Sequence, residues 1–268
     1  MFDSGIGGLT VLKVIMERMP DENIIYFGDT ARLPYGTKSR ETVTRFSEEI
    51  TAFLMRRDIK LLVVACNTAS AYALTRIRSM IDIPVVGVIE PGARAAAGAT
   101  RNRKVGVIGT RATVQSGAYL EAIQRLDPAI RVFSAACPLF VPLVEEGWLS
   151  EDVTYEVARR YLDHLVSCKV DTLILGCTHY PLIRKVIADV MGRGTVLIDS
   201  AEETAITVEN VLRESGLASD RLGGPRCEIY VSDIHLDLRL QVERFLGFEV
   251  PRISLVNSEF EEVEFKGV

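Results

Sequence analysis

Along the chain, short runs of β-branched and other apolar residues alternate with longer stretches in which apolar positions recur every three or four residues. The runs at 24–27, 61–65, 85–89, 105–108, 130–133, 172–175, 195–198 and 227–231 predict strands. Helical spacing fills the gaps. After Gly8, Leu9, Leu12, Ile15, Met16 and Met19 share one face until Pro20 ends the pattern. From Ser39 onward, Val43, Phe46, Ile50, Phe53 and Leu54 do the same. The strand runs are nearly continuous in apolar character, which suits parallel strands covered on both faces by crossover helices. The predicted class is α/β, with open, mostly parallel sheets.

The pattern also repeats. Residues 24–27 match 130–133, Val63-Val64-Ala65-Cys66-Asn67-Thr68 matches Ile174-Leu175-Gly176-Cys177-Thr178-His179, and 85–90 match 195–200, all at a nearly constant offset. Two similar halves with one strand–helix order are expected, each carrying a cysteine at the end of the equivalent strand. The expected division is residues 1–92 together with 206–268 as a first domain, and 93–205 as a second. The strand at 227–231 and the helical stretch 236–245 are too little for a domain of their own and are assigned to the first.

Composition narrows the class. Of 268 residues, 48% are hydrophobic and 25% charged, enough apolar sequence for a sizeable core. The net charge of −5, with no Lys/Arg cluster, argues against nucleic acid as a partner. Five cysteines make too few and too odd a set for a secreted disulfide framework. The opening MFDSGIGG has neither the basic nor the apolar region of a signal peptide, and no apolar run approaches the ~20 residues of a membrane span. A soluble, cytoplasmic protein with reduced thiols is expected.

Ligands of open α/β sheets bind beyond the carboxyl ends of the strands, and the unusual residues of this chain gather there. Cys66-Asn67-Thr68 follows one strand and precedes a helix predicted at 69–80. Cys177-Thr178-His179 follows another and precedes Pro181, a residue suited to a first helical turn. Helix N-termini favour a thiolate and should lower its pKa from about 8.5, although a buried cysteine is more often an inert small hydrophobe. Asp3-Ser4-Gly5-Ile6-Gly7-Gly8 suggests a nucleotide loop with Asp29 as the ribose acid, but Thr10 stands where the third glycine belongs. Asp3 is instead available to an ammonium group or a catalytic thiol, and Ser4 also fits a helix cap. Read alone, Leu33-Pro34-Tyr35-Gly36 is a turn and Glu145 a surface carboxylate. His164 and His235 read as structural. Metal-ligand spacing is lacking, as is the G-x-S-x-G turn of a serine hydrolase. No cofactor is expected.

Taken together, Asp3-Ser4-Gly5, Pro34-Tyr35-Gly36, Cys66-Asn67-Thr68-Ala69-Ser70, Phe140-Val141-Pro142-Leu143-Val144-Glu145 and Gly176-Cys177-Thr178-His179-Tyr180-Pro181-Leu182 resemble bacterial glutamate racemases over nearly the whole chain. The resemblance implies cofactor-independent, two-base interconversion of L- and D-glutamate that supplies D-glutamate for peptidoglycan. It also implies two α/β domains related by pseudo-two-fold symmetry with the active site in the cleft between them, usually in a homodimer. By the same resemblance Cys66 and Cys177 are the acid/base thiols, Asp3 assists Cys66, and Glu145 and His179 assist Cys177. Ser4, Pro34, Tyr35, Gly36, Asn67, Thr68 and Thr178 contact substrate, and Thr110 and Thr113 hold its carboxylates. The family usually carries a few more residues, forming a first strand, ahead of the Asp-Ser-Gly motif; here Met1 and Phe2 precede it. An aspartate or hydantoin racemase, or a non-catalytic ligand-binding relative, stands as the alternative.

Overall fold

The computed structural model describes residues 1–220, 226–234, 237–248 and 253–263. The first part of the chain runs β1 (Phe2–Asp3), α1 (Leu9–Arg18), β2 (Ile24–Gly28), α2 (Arg40–Met55), β3 (Leu62–Val64), α3 (Asn67–Arg78), β4 (Val85–Gly87) and α4 (Ile89–Ala99). The second runs β5 (Lys104–Gly109), α5 (Arg111–Gln115), α6 (Ala118–Leu126), β6 (Arg131–Ala136), α7 (Phe140–Glu145), α8 (Asp152–Ser167), β7 (Thr172–Gly176), α9 (Arg184–Met191), β8 (Val196–Asp199) and α10 (Ser200–Glu214). After these come β9 (Cys227–Val231), α11 (Leu238–Leu246), β10 (Ile253–Val256) and β11 (Glu262–Val263).

Two sheets form, ordered β11-β10-β9-β2-β1-β3-β4 and β6-β5-β7-β8. The segment β2-β1-β3-β4 of the first has the same order and direction as the whole of the second, so β1 corresponds to β5, β2 to β6, β3 to β7 and β4 to β8. Every described pairing is parallel except β10 with β11. Short as it is, β1 pairs on both sides, with Phe2 opposite Phe27 and opposite Val64. It and the β10–β11 pair are absent from the predicted strands, because two to four residues give too short a pattern to separate from a loop.

The helices begin and end where local chemistry directs. Ser39 caps α2, its Oγ accepting from Thr42 N at 3.3 Å, and Asp199 caps α10 through Ala201 N at 2.9 Å. α1 buries Leu9, Val11 and Leu12 completely, each such side chain contributing about 1.5–3 kcal/mol on transfer from water. The principal core cluster runs through both parts of the chain, joining Leu9, Leu12 and Val86 with Leu173, Leu175 and Ala201. α10 packs against α1 and α4, and α4 lies on β7 and β8. The positions 92/93 and 205/206, where the division of domains is expected, therefore lie inside two helices that pack on each other. His235 lies outside the described residues. Among those described, no helix is long and apolar enough to cross a membrane.

Candidate active site

The carboxyl ends of the two sheets face one cavity of about 370 Å³. Ser4 and Gly5 reach it from the end of β1, residues 33–37 from the segment after β2, and Cys66, Asn67 and Thr68 from the end of β3. From the second sheet come Thr110 and Arg111 after β5, Glu145 at the end of α7, and Cys177, Thr178 and His179 after β7. The two cysteines thus sit at topologically equivalent strand ends, one from each sheet, and line the same cavity.

Cys66 caps α3, its Sγ accepting from Ala69 N at 3.4 Å, and it lies 3.6 Å from Ser4 Oγ. The helix N-terminus does not lower its pKa, as the sequence pattern leads one to expect. Burial, reinforced by the neighbouring Asp3 carboxyl, pushes the thiol up to about 12. Loss of solvation outweighs the donors at Ala69 and Ser4, and Cys66 is a thiol at neutral pH. Asp3 lies wholly buried behind Ser4 and Gly5, with Oδ2 accepting from Gly5 N at 3.1 Å and Oδ1 without a hydrogen-bond partner among the described residues. Burial raises its pKa, against the opposing pull of His179 and nearby backbone N–H groups.

The Cys177 side is built differently. A short 3₁₀ turn, Tyr180–Ile183, follows it rather than the first turn of an α-helix. His179 Nδ1 lies 3.9 Å from Cys177 Sγ, while Nε2 is 3.1 Å from Glu145 Oε1. Glu145, far from being an idle surface carboxylate, completes this row. Burial alone would lower the pKa of the imidazole, but hydrogen bonds to Cys177 and Glu145 override it and hold His179 up to about 10.

Because that value lies above the ordinary 6.5 of histidine, the stability it contributes is complete below 6.5 and is lost as pH rises towards 10. Accordingly, the imidazole NMR signals of His179 should show no titration near neutrality. His179→Gln should flatten the decline of Tm over that alkaline window. Titration of His179 near 6.5, or an unchanged slope in the variant, would contradict the arrangement.

Three threonines join the two sides. The hydroxyls of Thr68, Thr110 and Thr113 lie 3.0 Å from one another, linking the first turns of α3 and α5. Thr110 reaches the cavity, whereas Thr113 is buried behind it. Pro34, Tyr35 and Gly36 do more than turn the chain, since all three line the cavity. The Tyr35 hydroxyl donates to Asp29 Oδ2 at 2.5 Å. Asp29 is fully buried and also accepts from Arg32 Nε at 2.8 Å and Ser232 Oγ at 2.9 Å. Its oxygens are committed to protein partners, so the suggested ribose acid is a support for the 33–37 segment.

Several neighbours escaped the sequence reading. Val141 and Pro142, quoted in the family motif but given no role in the site, form apolar wall. Arg244 Nη1 donates to Glu145 O at 2.9 Å, and Phe245 sets its ring edge-on to His179 at 5.3 Å. Nothing in the pattern of α11 separates those two from ordinary surface and core positions. His164 lies in α8, edge-on to Phe133 and away from the cavity. Among the described residues, no group of three or more His, Cys, Asp and Glu is placed to hold a metal.

Comparison with known proteins gives the family. A model of the Asp/Glu/hydantoin racemase family matches residues 10–208. A glutamate racemase of Geobacter metallireducens is 54% identical over 262 residues, covering 98% of this chain and 97% of the relative. The crystal structure of a glutamate racemase from Bacillus anthracis superposes with a TM-score of 0.93 at 40% identity, over 97% of each chain. That of the Francisella tularensis enzyme in complex with D-glutamate gives 0.90 at 40% identity, over 95% of each. The chain belongs to the Asp/Glu/hydantoin racemase family.

Proposed function

We propose that this protein is a glutamate racemase in which Cys66 and Cys177 work on opposite faces of the substrate α-carbon. The observation that carries the proposal is the placement of the two thiols, each at the end of an equivalent strand and each lining the one cavity. Inverting a stereocentre by proton transfer needs a base on one face and an acid on the other, and thiols can serve in either role.

The protonation states supply a starting point. His179, held up to about 10, puts positive charge 3.9 Å from Cys177 Sγ, where it stabilises the negative charge that sulfur carries as a base. Glu145 orients the ring from its far side. Cys66, held as a thiol, is ready to donate. In this state Cys177 removes the α-proton while Cys66 delivers its own from the other face. By resemblance to the family, that is the L-to-D direction. The reverse needs Cys66 as the base, and Asp3 beside it is the carboxyl through which the Cys66 proton departs.

The carbanion is stabilised without pyridoxal by donors at its carboxylate. Asn67 and Thr68 in the first turn of α3, Thr110 with the Thr113 hydroxyl held behind it, and Thr178 supply these. Ser4, Pro34, Tyr35 and Gly36 enclose the remainder. The family reading brings with it a homodimer, a cytoplasmic location and D-glutamate supply for peptidoglycan.

Glutamate is favoured over aspartate because the relatives at 40–54% identity are glutamate racemases, whereas an aspartate racemase homologue from Pyrococcus horikoshii at 18% shares the fold alone. A purely binding relative has no use for paired thiols. After exhaustive dialysis against chelator, the protein should racemise glutamate from either enantiomer, followed by circular dichroism. One methylene is worth only about 1–3 kcal/mol in discrimination, so weak aspartate turnover is compatible with the proposal. Faster turnover of aspartate, or activity that returns only with zinc or pyridoxal phosphate, would overturn it.

A further inference from the structure

We infer that Tyr119 is a positioning residue of the site, setting the orientation of the Asn67 carboxamide so that its NH2 group faces the substrate. The inference rests on the proposed function, and it concerns a side chain that does not line the cavity.

Tyr119 belongs to α6, on the second sheet, while Asn67 opens α3, on the first. Both are buried, with exposures of 3% each. Tyr119 Oη lies 2.7 Å from Asn67 Oδ1, and this is its one described hydrogen bond. Asn67 Nδ2 is buried and has no partner among the described residues.

A carboxamide has two faces to offer, and the partner of one decides what the other presents. The phenol is held in its protonated form by burial and by the proximity of Cys177 and Asp199, which raise its pKa above the usual range. It therefore has a proton to donate, and the carbonyl Oδ1 accepts it. Turning the amide over would leave that O–H without an acceptor and would aim Oδ1 into the cavity. With Oδ1 occupied, the two hydrogens of Nδ2 are the unsatisfied pair. A buried donor left unpaired is costly, and a carboxylate oxygen in the cavity that Asn67 lines would satisfy it. Tyr119 is itself fixed: a Cβ built on Gly176 would come within 3.1 Å of its ring, so the phenol lies directly beneath the residue that precedes Cys177. The amide of the first half is thus aimed by a hydroxyl of the second.

The test is Tyr119→Phe, which removes one oxygen and keeps the ring. Unpartnered against a phenyl ring, Oδ1 turns towards the cavity, and substrate has to turn it back. KM for both enantiomers, and the Kd for D-glutamate by calorimetry, should rise about tenfold, the usual scale for leaving a buried acceptor unpaired. The fall in kcat should be smaller. In an Asn67→Ala background the same change should alter KM and Kd by less than twofold, because no amide remains to be aimed. Wild-type binding and KM in Tyr119→Phe would overturn the inference. So would a tenfold effect that persists undiminished without Asn67, which marks a purely structural role. A wild-type protein that neither binds nor racemises glutamate overturns the functional reading along with it, whereas an active wild type with a silent Tyr119→Phe overturns this inference only.

Discussion

Cys66→Ala and Cys177→Ala are each expected to abolish racemisation in both directions while leaving one half of the chemistry intact. Every turnover uses one thiol as base and the other as acid, so neither direction survives the loss of either group. Losing general acid–base assistance costs about 10²–10⁴ in rate, and residual racemisation should fall at least that far. The surviving thiol can still remove a proton from its own face. A β-chloro analogue of glutamate converts that removal into halide release, which needs no proton delivery from the other side. Cys66→Ala should release halide from the L form, and Cys177→Ala from the D form. Equal release from both enantiomers by both variants, or near-native racemisation by either, would refute the assignment.

Gly7→Ala carries the second large effect. The loop after β1 meets the second half of the chain at this residue. A Cβ built there would stand 2.2 Å from Thr178 Oγ1 and 2.5 Å from His179 Nδ1. Next door, in the first turn of α1, Thr10 Oγ1 lies 2.9 Å from Gly7 O and 3.1 Å from Thr178 O and shares its one proton between them, so this stretch already packs closely on the loop after β7. Room for the methyl group has to come from both Thr178 and His179, and Nδ1 of the imidazole is the atom that faces Cys177. Overpacking of this kind costs about 1–3 kcal/mol, which should appear as a lower Tm. The activity loss should be larger, about 10²-fold or more, because the imidazole leaves Cys177. In the halide-release assay the damage should fall on the L form, whose base is Cys177. A variant with native activity would show that the His179 position is immaterial; equal loss on both enantiomers would show that the cleft as a whole has shifted.

Much of this was legible in the chain before any coordinates. Continuous apolar runs such as 61–65 and 172–175 announce strands covered on both faces, and they become β3 and β7. The match of residues 63–68 to 174–179 holds because these segments occupy equivalent places in two sheets of the same order. Other features were out of reach for physical reasons. β1 has two residues, and its existence depends on neighbours on both sides rather than on any pattern of its own. The shift at Cys66 has the opposite sign to that expected from a helix N-terminus, since burial is a property of the assembled cleft and cannot be read from the local sequence. Tyr119 lies in a stretch, Ala118-Tyr119-Leu120-Glu121-Ala122-Ile123, that reads as an ordinary core-facing helix. Its hydroxyl acquires a purpose only when α6 meets α3. Asp29 is a similar case: Thr10 already spoke against a nucleotide loop, but the part Asp29 does play, accepting from Tyr35, Arg32 and Ser232, is revealed only by the fold.

The central claim, proton removal on one face and delivery on the other, is best tested by following the α-hydrogen. L-Glutamate bearing protium at the α-carbon is incubated with the protein in D2O, and both enantiomers are separated at low conversion and examined by NMR. With two thiols on opposite faces, the D-glutamate formed should carry deuterium almost completely, while the remaining L-glutamate keeps its protium. Deuterium in the recovered L-glutamate as fast as in the product, or no exchange at all, would contradict the account.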